Sequence, residues 1–144
     1  MAVRVRLRIE SVGHKVIEAT ALVNTGFETE SPQLLLPVKA AERLDLWPNL
    51  PLEAKVEIYD TAGGPTRVYL MPQKAKTVVL TEERESIEVL SDIVVSHTEV
   101  EILVGDKLAG KMQIVIEDPG EGIWRFKDDP PDRKRESQTV ERWV

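Results

Sequence analysis

The residues from Val3 to Ile9 alternate without a break, Val-Arg-Val-Arg-Leu-Arg-Ile. An extended chain with this pattern carries its apolar side chains on one face and its three arginines on the other, and no helix can sort them that way. A second run, Val16 to Val23, follows a glycine-containing turn at Ser11 to Lys15, so the two runs predict a β-hairpin. Further strand-like runs occupy Leu34 to Leu36, Lys55 to Tyr59, Arg67 to Leu70, Lys76 to Leu80, Ser86 to Val95 and Glu99 to Val104. One short helix is predicted after Pro37, where the missing proline N–H costs least and Val38, Ala41 and Leu44 share a face. A second short helix is predicted from Asp106. Strand after strand with one or two small helices predicts a mainly β chain.

The 144 residues suit a single domain, expected to span residues 1–126. From Lys127 the sequence reads KDDPPDRKRESQTVERWV, dense in mixed charge, and residues 127–144 are expected to form a charged, flexible C-terminal tail with Trp143 as its one candidate for docking.

Several kinds of chemistry are excluded. The chain has no cysteine, hence no disulfide, no thiolate nucleophile and no cysteine-ligated zinc. Its two histidines, His14 and His97, read as ordinary surface or edge residues, so neither a metal nor a cofactor is expected. A formal net charge of −6 argues against nucleic acid as a partner, with Arg4, Arg6 and Arg8 the one local basic patch. No apolar run approaches the roughly 20 residues that span a bilayer, so no membrane partner is expected. Because the first ten residues alternate, in contrast to the apolar core of a secretion leader, a cytoplasmic location is expected.

Four features stand in a fixed order. The second apolar strand runs into Asn24-Thr25-Gly26. A short apolar run, a proline and a helix follow. Next comes a glycine-rich hairpin tip, Asp60-Thr61-Ala62-Gly63-Gly64, and then Leu103-Val104 directly before Gly105. This order resembles the retropepsin-like (retroviral-type) aspartic protease family over about residues 3 to 117. The resemblance implies a mainly β, half-barrel acid-protease fold with one or two short helices. It implies that Asn24, Thr25 and Gly26 occupy the positions of the family's catalytic Asp-Thr-Gly, that residues 60–64 form a flap over bound peptide, and that Leu103, Val104 and Gly105 brace the loop from behind. It further implies that two copies of the chain are needed, since one chain supplies half a site. Asp60-Thr61 is not a second such loop, because Ala62 separates it from the glycines and strand-like runs flank it on both sides.

Asparagine changes what such a site can do. In the family's chemistry two close carboxylates share a proton, one acting as general base on water and the other as acid. An amide can hydrogen-bond a water and cannot take its proton. General base catalysis alone is worth about 10²–10⁴-fold, so peptide hydrolysis is expected to be negligible. Three readings follow: a homologue that keeps a peptide-binding cleft and a homodimer without catalysis, an active endopeptidase disabled by an Asp-to-Asn substitution, or a small β-rich interaction module with no catalytic role.

Overall fold

The computed structural model describes residues 1–144. The chain is mainly β, with 47% of residues in strands and 8% in two short helices. β1 (Arg4–Ser11) and β2 (Val16–Val23) form the expected hairpin, paired from Arg4↔Leu22 to Glu10↔Val16. They are followed by β3 (Gln33–Pro37), α1 (Val38–Arg43), β4 (Lys55–Thr61), β5 (Gly64–Leu80), β6 (Val89–Ser96), β7 (Ile102–Val104) and α2 (Asp106–Lys111). A smaller sheet of β8 (Ile114–Asp118), β9 (Ile123–Phe126) and β10 (Arg135–Glu136) completes the chain.

The main sheet runs β1-β2-β7-β3-β6-β5-β4, and β1 also pairs with β5, from Arg6↔Leu80 to Ser11↔Ala75. That pairing closes six strands into a barrel and leaves β4 outside it, held by β5 alone. Strand β5 therefore does two jobs. Its first half pairs with β4 as a hairpin and, from Val68 to Met71, also with β6, and its second half is barrel wall between β1 and β6. The halves meet at a bulge between Met71 and Ala75, where Gln73 takes a positive φ of 52° and donates its N–H to Asp92 Oδ1 at 2.8 Å. Two separate strands, Arg67 to Leu70 and Lys76 to Leu80, are expected from the sequence here; the chain bends at the bulge and continues as one strand.

The inside of the barrel is filled by one apolar cluster that includes Val5, Leu7 and Ile9 from β1, Leu34 and Leu36 from β3, and Ile102 and Val104 from β7. Burying each such side chain stabilises by about 1.5–3 kcal/mol. Trp124 and Phe126 of the smaller sheet join the same cluster. The intervening residues of β3, β5, β6 and β7 point outward, and they too are apolar: Leu35, Val68, Val94 and Leu103 make a second cluster on the outer face. The runs Leu34–Leu36 and Ile102–Val104 are continuous because both faces of these strands are covered.

The outward arginines of β1 are each neutralised. Arg4 bonds Glu101 at 2.8 Å, Arg6 lies 3.4 Å from Glu141, and Arg8 meets Glu85 at 3.0 Å. The patch considered for nucleic acid is thus a row of ion pairs.

The segment from Lys127, expected from sequence to be a flexible tail, has specific contacts with the barrel. Arg135 is buried, with side-chain bonds to Asp129 and Glu83 and its guanidinium 5.1 Å from the centroid of the Phe126 ring. The Gln138 N–H donates to Arg4 O at 2.9 Å, Glu141 accepts from the Thr20 N–H at 2.7 Å, and the Trp143 N–H donates to Val100 O at 2.7 Å. No helix of the chain is long and apolar enough to cross a membrane.

Candidate functional site

Strand β2 ends at Val23, and the turn Asn24-Thr25-Gly26 follows. The Asn24 side chain folds back so that Oδ1 accepts the Gly26 N–H at 3.0 Å, an Asx turn that tightens the loop. That is the one side-chain hydrogen bond within residues 24–28. It leaves the two Nδ2 protons of Asn24 free. Toward a ligand this amide can donate to a carbonyl or water oxygen, and it has no basic lone pair to offer. Thr25 is exposed, with no side-chain partner in its own chain.

The loop is held from below by β7. Strands β2 and β7 are parallel neighbours, Leu22↔Leu103 and Val23↔Val104, and the Asn24 N–H donates to Val104 O at 3.0 Å. Gly105 then passes so close beneath the loop that a Cβ there would lie 3.1 Å from Phe27 O and 3.2 Å from the Phe27 ring. The Asp106 N–H donates to Phe27 O at 3.0 Å. Glycine is favoured here by this close approach and not by its backbone angle, since its φ of −73° suits any residue.

Opposite the loop stands the β4–β5 hairpin. Its register, Glu57↔Val68, Tyr59↔Thr66 and Thr61↔Gly64, leaves the two-residue tip Ala62-Gly63. Gly64 has φ +106°, a conformation glycine adopts without strain. Thr61 Oγ1 ties the tip by donating to Gly64 O at 2.8 Å and accepting the Gly63 N–H at 3.2 Å. The hairpin is also joined to its base. Tyr59 donates its hydroxyl to Gln33 Oε1 at 2.7 Å, Gln33 Nε2 donates to Ser31 Oγ at 3.2 Å, and Ser31 donates to Asp92 Oδ2 at 2.6 Å. Burial, with the nearby negative charges of Glu57 and Asp92, pushes the Tyr59 hydroxyl above its usual pKa.

Between loop and hairpin lies a cleft of ≈ 900 Å³. Its floor is the outer apolar cluster, Leu35, Val68 and Leu103, with Phe27 and Tyr59 packed on it, their ring centroids 6.1 Å apart. Of the residues singled out from sequence, Asn24, Gly26, Asp60, Thr61, Ala62 and Leu103 line this cleft. Thr25, Gly63, Gly64, Val104 and Gly105 do not line it. The first three sit at the loop and hairpin tips, and the last two behind the loop.

Sequence reasoning missed the Tyr59–Gln33–Ser31–Asp92 chain and the apolar floor. The floor had a signal: in Leu34–Leu36 and Ile102–Val104 the middle residue faces away from the barrel and still is leucine. Neither histidine reaches the cleft. His14 is in the β1–β2 turn, 3.3 Å from Glu10, and His97 packs edge-on to Trp47 with centroids 4.9 Å apart. No group of three His, Asp or Glu side chains is arranged to hold a metal. No protein-family model and no curated protein matches the sequence.

Proposed function

We propose that the chain is a retropepsin-like aspartic protease homologue that works as a homodimer, binds an extended peptide or protein segment in the cleft, and does not hydrolyse it. The observation that carries this reading is the facing of Asn24 and the hairpin tip, Asp60 to Ala62, across one cleft with an apolar floor. Supporting it are the strand-end loop, the overlying hairpin, and the Leu103-Val104-Gly105 segment lying against the loop from behind. A plain interaction module would have no need to aim a strand end and a hairpin at the same groove.

The chemistry follows from the amide. Two carboxylates can divide the roles of base and acid because their pKa values split; two Asn24 side chains cannot. Each has Oδ1 committed to Gly26 and N–H donors left over, a pattern that holds a peptide carbonyl or a water in place without activating either. Exposed Thr25 and the unshared half-site are what a second copy would complete.

The test uses amide spectra of the full chain titrated with a pooled library of extended peptides, and sedimentation across concentration. The reading expects perturbations at residues 24–26 and 60–64 and a concentration-dependent dimer. Peptides that leave those residues unperturbed, or a strict monomer at high micromolar protein, would overturn it.

A further inference from the structure

The cleft's charge is one-sided. Glu28 and Glu30 come from the loop after β2, Glu57 and Asp60 from the hairpin, and Glu99 from the connection between β6 and β7. Three separate segments thus deliver five carboxylates to one groove. The chain has 19 lysines and arginines, and none of them lines it. None of the five carboxylates has an ion-pair partner, whereas Glu83, Glu85, Glu101 and Asp129 outside the cleft are all paired with arginines. A two-fold dimer would bring together two such sets.

We infer that the cleft selects a cationic ligand, an extended segment in which apolar residues alternate with lysine or arginine. This rests on the peptide-binding reading above and names the class of peptide. The site is the cleft, and the carboxylates set the charge of what it takes. An extended peptide sends successive side chains to opposite sides. Apolar residues would then settle on Phe27, Ile58 and Leu70, the accessible apolar lining above the buried Leu35, Val68 and Leu103, while the intervening cations face the acidic rim. An acidic segment would add charge to a field already negative, and a neutral one would leave the five carboxylates without counter-ions.

The experiment compares three acetylated, identically labelled peptides of about ten residues in which leucine alternates with arginine, glutamine or glutamate, read by fluorescence anisotropy on the full chain. Exposed ion pairs each change affinity about two- to five-fold, so several acting together should favour the arginine peptide by at least about tenfold over the glutamine peptide. That preference should shrink several-fold between about 50 and about 500 mM salt as the charges are screened. The combined variant Glu57→Gln, Asp60→Asn, Glu99→Gln should lose most of the preference and still bind the glutamine peptide. Equal binding of the arginine and glutamine peptides, or a preference unmoved by salt, would overturn the inference while leaving the peptide cleft standing. The salt series decides this even if the variant fails to fold. Binding of none of the three peptides would remove both the inference and the reading beneath it.

Discussion

Replacing Asn24 with aspartate distinguishes a paired site from a lone one by the sign of its pH dependence. Within a single chain the new carboxylate would occupy the place of Oδ1 and accept the Gly26 N–H, now 3.0 Å from it. That charge-assisted bond favours the ionised form and lowers the folded-state pKa below the usual value of about 3.9, an effect worth about 1 kcal/mol. In a two-fold dimer with both copies of residue 24 apposed, a second carboxylate opposes ionisation. At about 4 Å and an effective dielectric near 20 the repulsion is about 4 kcal/mol, or about three pKa units, and it outweighs the hydrogen bond. The pair then keeps one proton that two unfolded chains release, with the second ionisation raised to about 6 or 7. A raised folded-state pKa gives stability that is full below about pH 4 and is lost as pH climbs to about 7. The loss is about 2 kcal/mol per chain, or about 1 M in urea midpoint. An unpaired chain shows the reverse, a gain of up to about 1 kcal/mol as pH rises through about 4 that persists above it. Urea midpoints of Asn24→Asp and the parent at equal protein concentration, from about pH 3 to 8, read the difference directly. A difference that is flat, or that moves in the variant's favour with rising pH, would refute the apposition. With the pair formed and the hairpin intact, the same variant should also cleave peptides weakly, with an acidic optimum, in a pooled library read by mass spectrometry.

Three further outcomes are expected. Glu83 and Asp129 are both held at a pKa of about 2, first of all by their bonds to Arg135, so their contribution is present above about pH 4 and is lost as pH falls through about 2. Arg135→Met should flatten that acid limb of a Tm-against-pH series and cost about 3 kcal/mol at neutral pH, because it leaves the buried Asp129 carboxylate without its main counter-ion. Tyr59→Phe removes the donor to buried Gln33 and should cost about 1 kcal/mol while speeding hydrogen exchange in β4 more than in β2; equal acceleration in both would mean that the hydroxyl does not tether the hairpin. Gly105→Ala places a methyl 3.1 Å from Phe27 O and should destabilise by about 1–3 kcal/mol in urea, with the amide signals of residues 24–28 displaced; a variant as stable as the parent would show that the close approach is slack.

What the sequence discloses depends on how far apart the interacting residues lie. The β1–β2 hairpin, the helix after Pro37 and the hairpin tip at Ala62-Gly63 are local devices, and each forms where alternation, proline or glycine places it. Barrel closure is not local: β1 meets β5 across some 70 residues, and the bulge that lets β5 serve both the hairpin and the barrel is stabilised by Asp92, which no periodicity marks. The C-terminal segment shows the same limit. A search for apolar residues finds little there besides Trp143, yet the chain is fastened at Arg135 by carboxylates more than 50 residues away at Glu83 and 6 away at Asp129.

The candidate site was half legible for the same reason. Asn24-Thr25-Gly26 and Leu103-Val104-Gly105 can be recognised separately, and the parallel pairing of β2 with β7 turns them into one support. The floor could have been anticipated from parity, because a strand that buries only one face has no reason to place leucine at its middle outward position, as β3 and β7 do at Leu35 and Leu103. The acidic rim could not, since Glu28, Glu57 and Glu99 lie in three widely separated stretches of the sequence and become one electrostatic surface only after the barrel and the hairpin have folded them around the same groove. Structure contributes most to function at that step: it converts scattered, unpaired side chains into a field with a sign, and the sign restricts what the groove can hold.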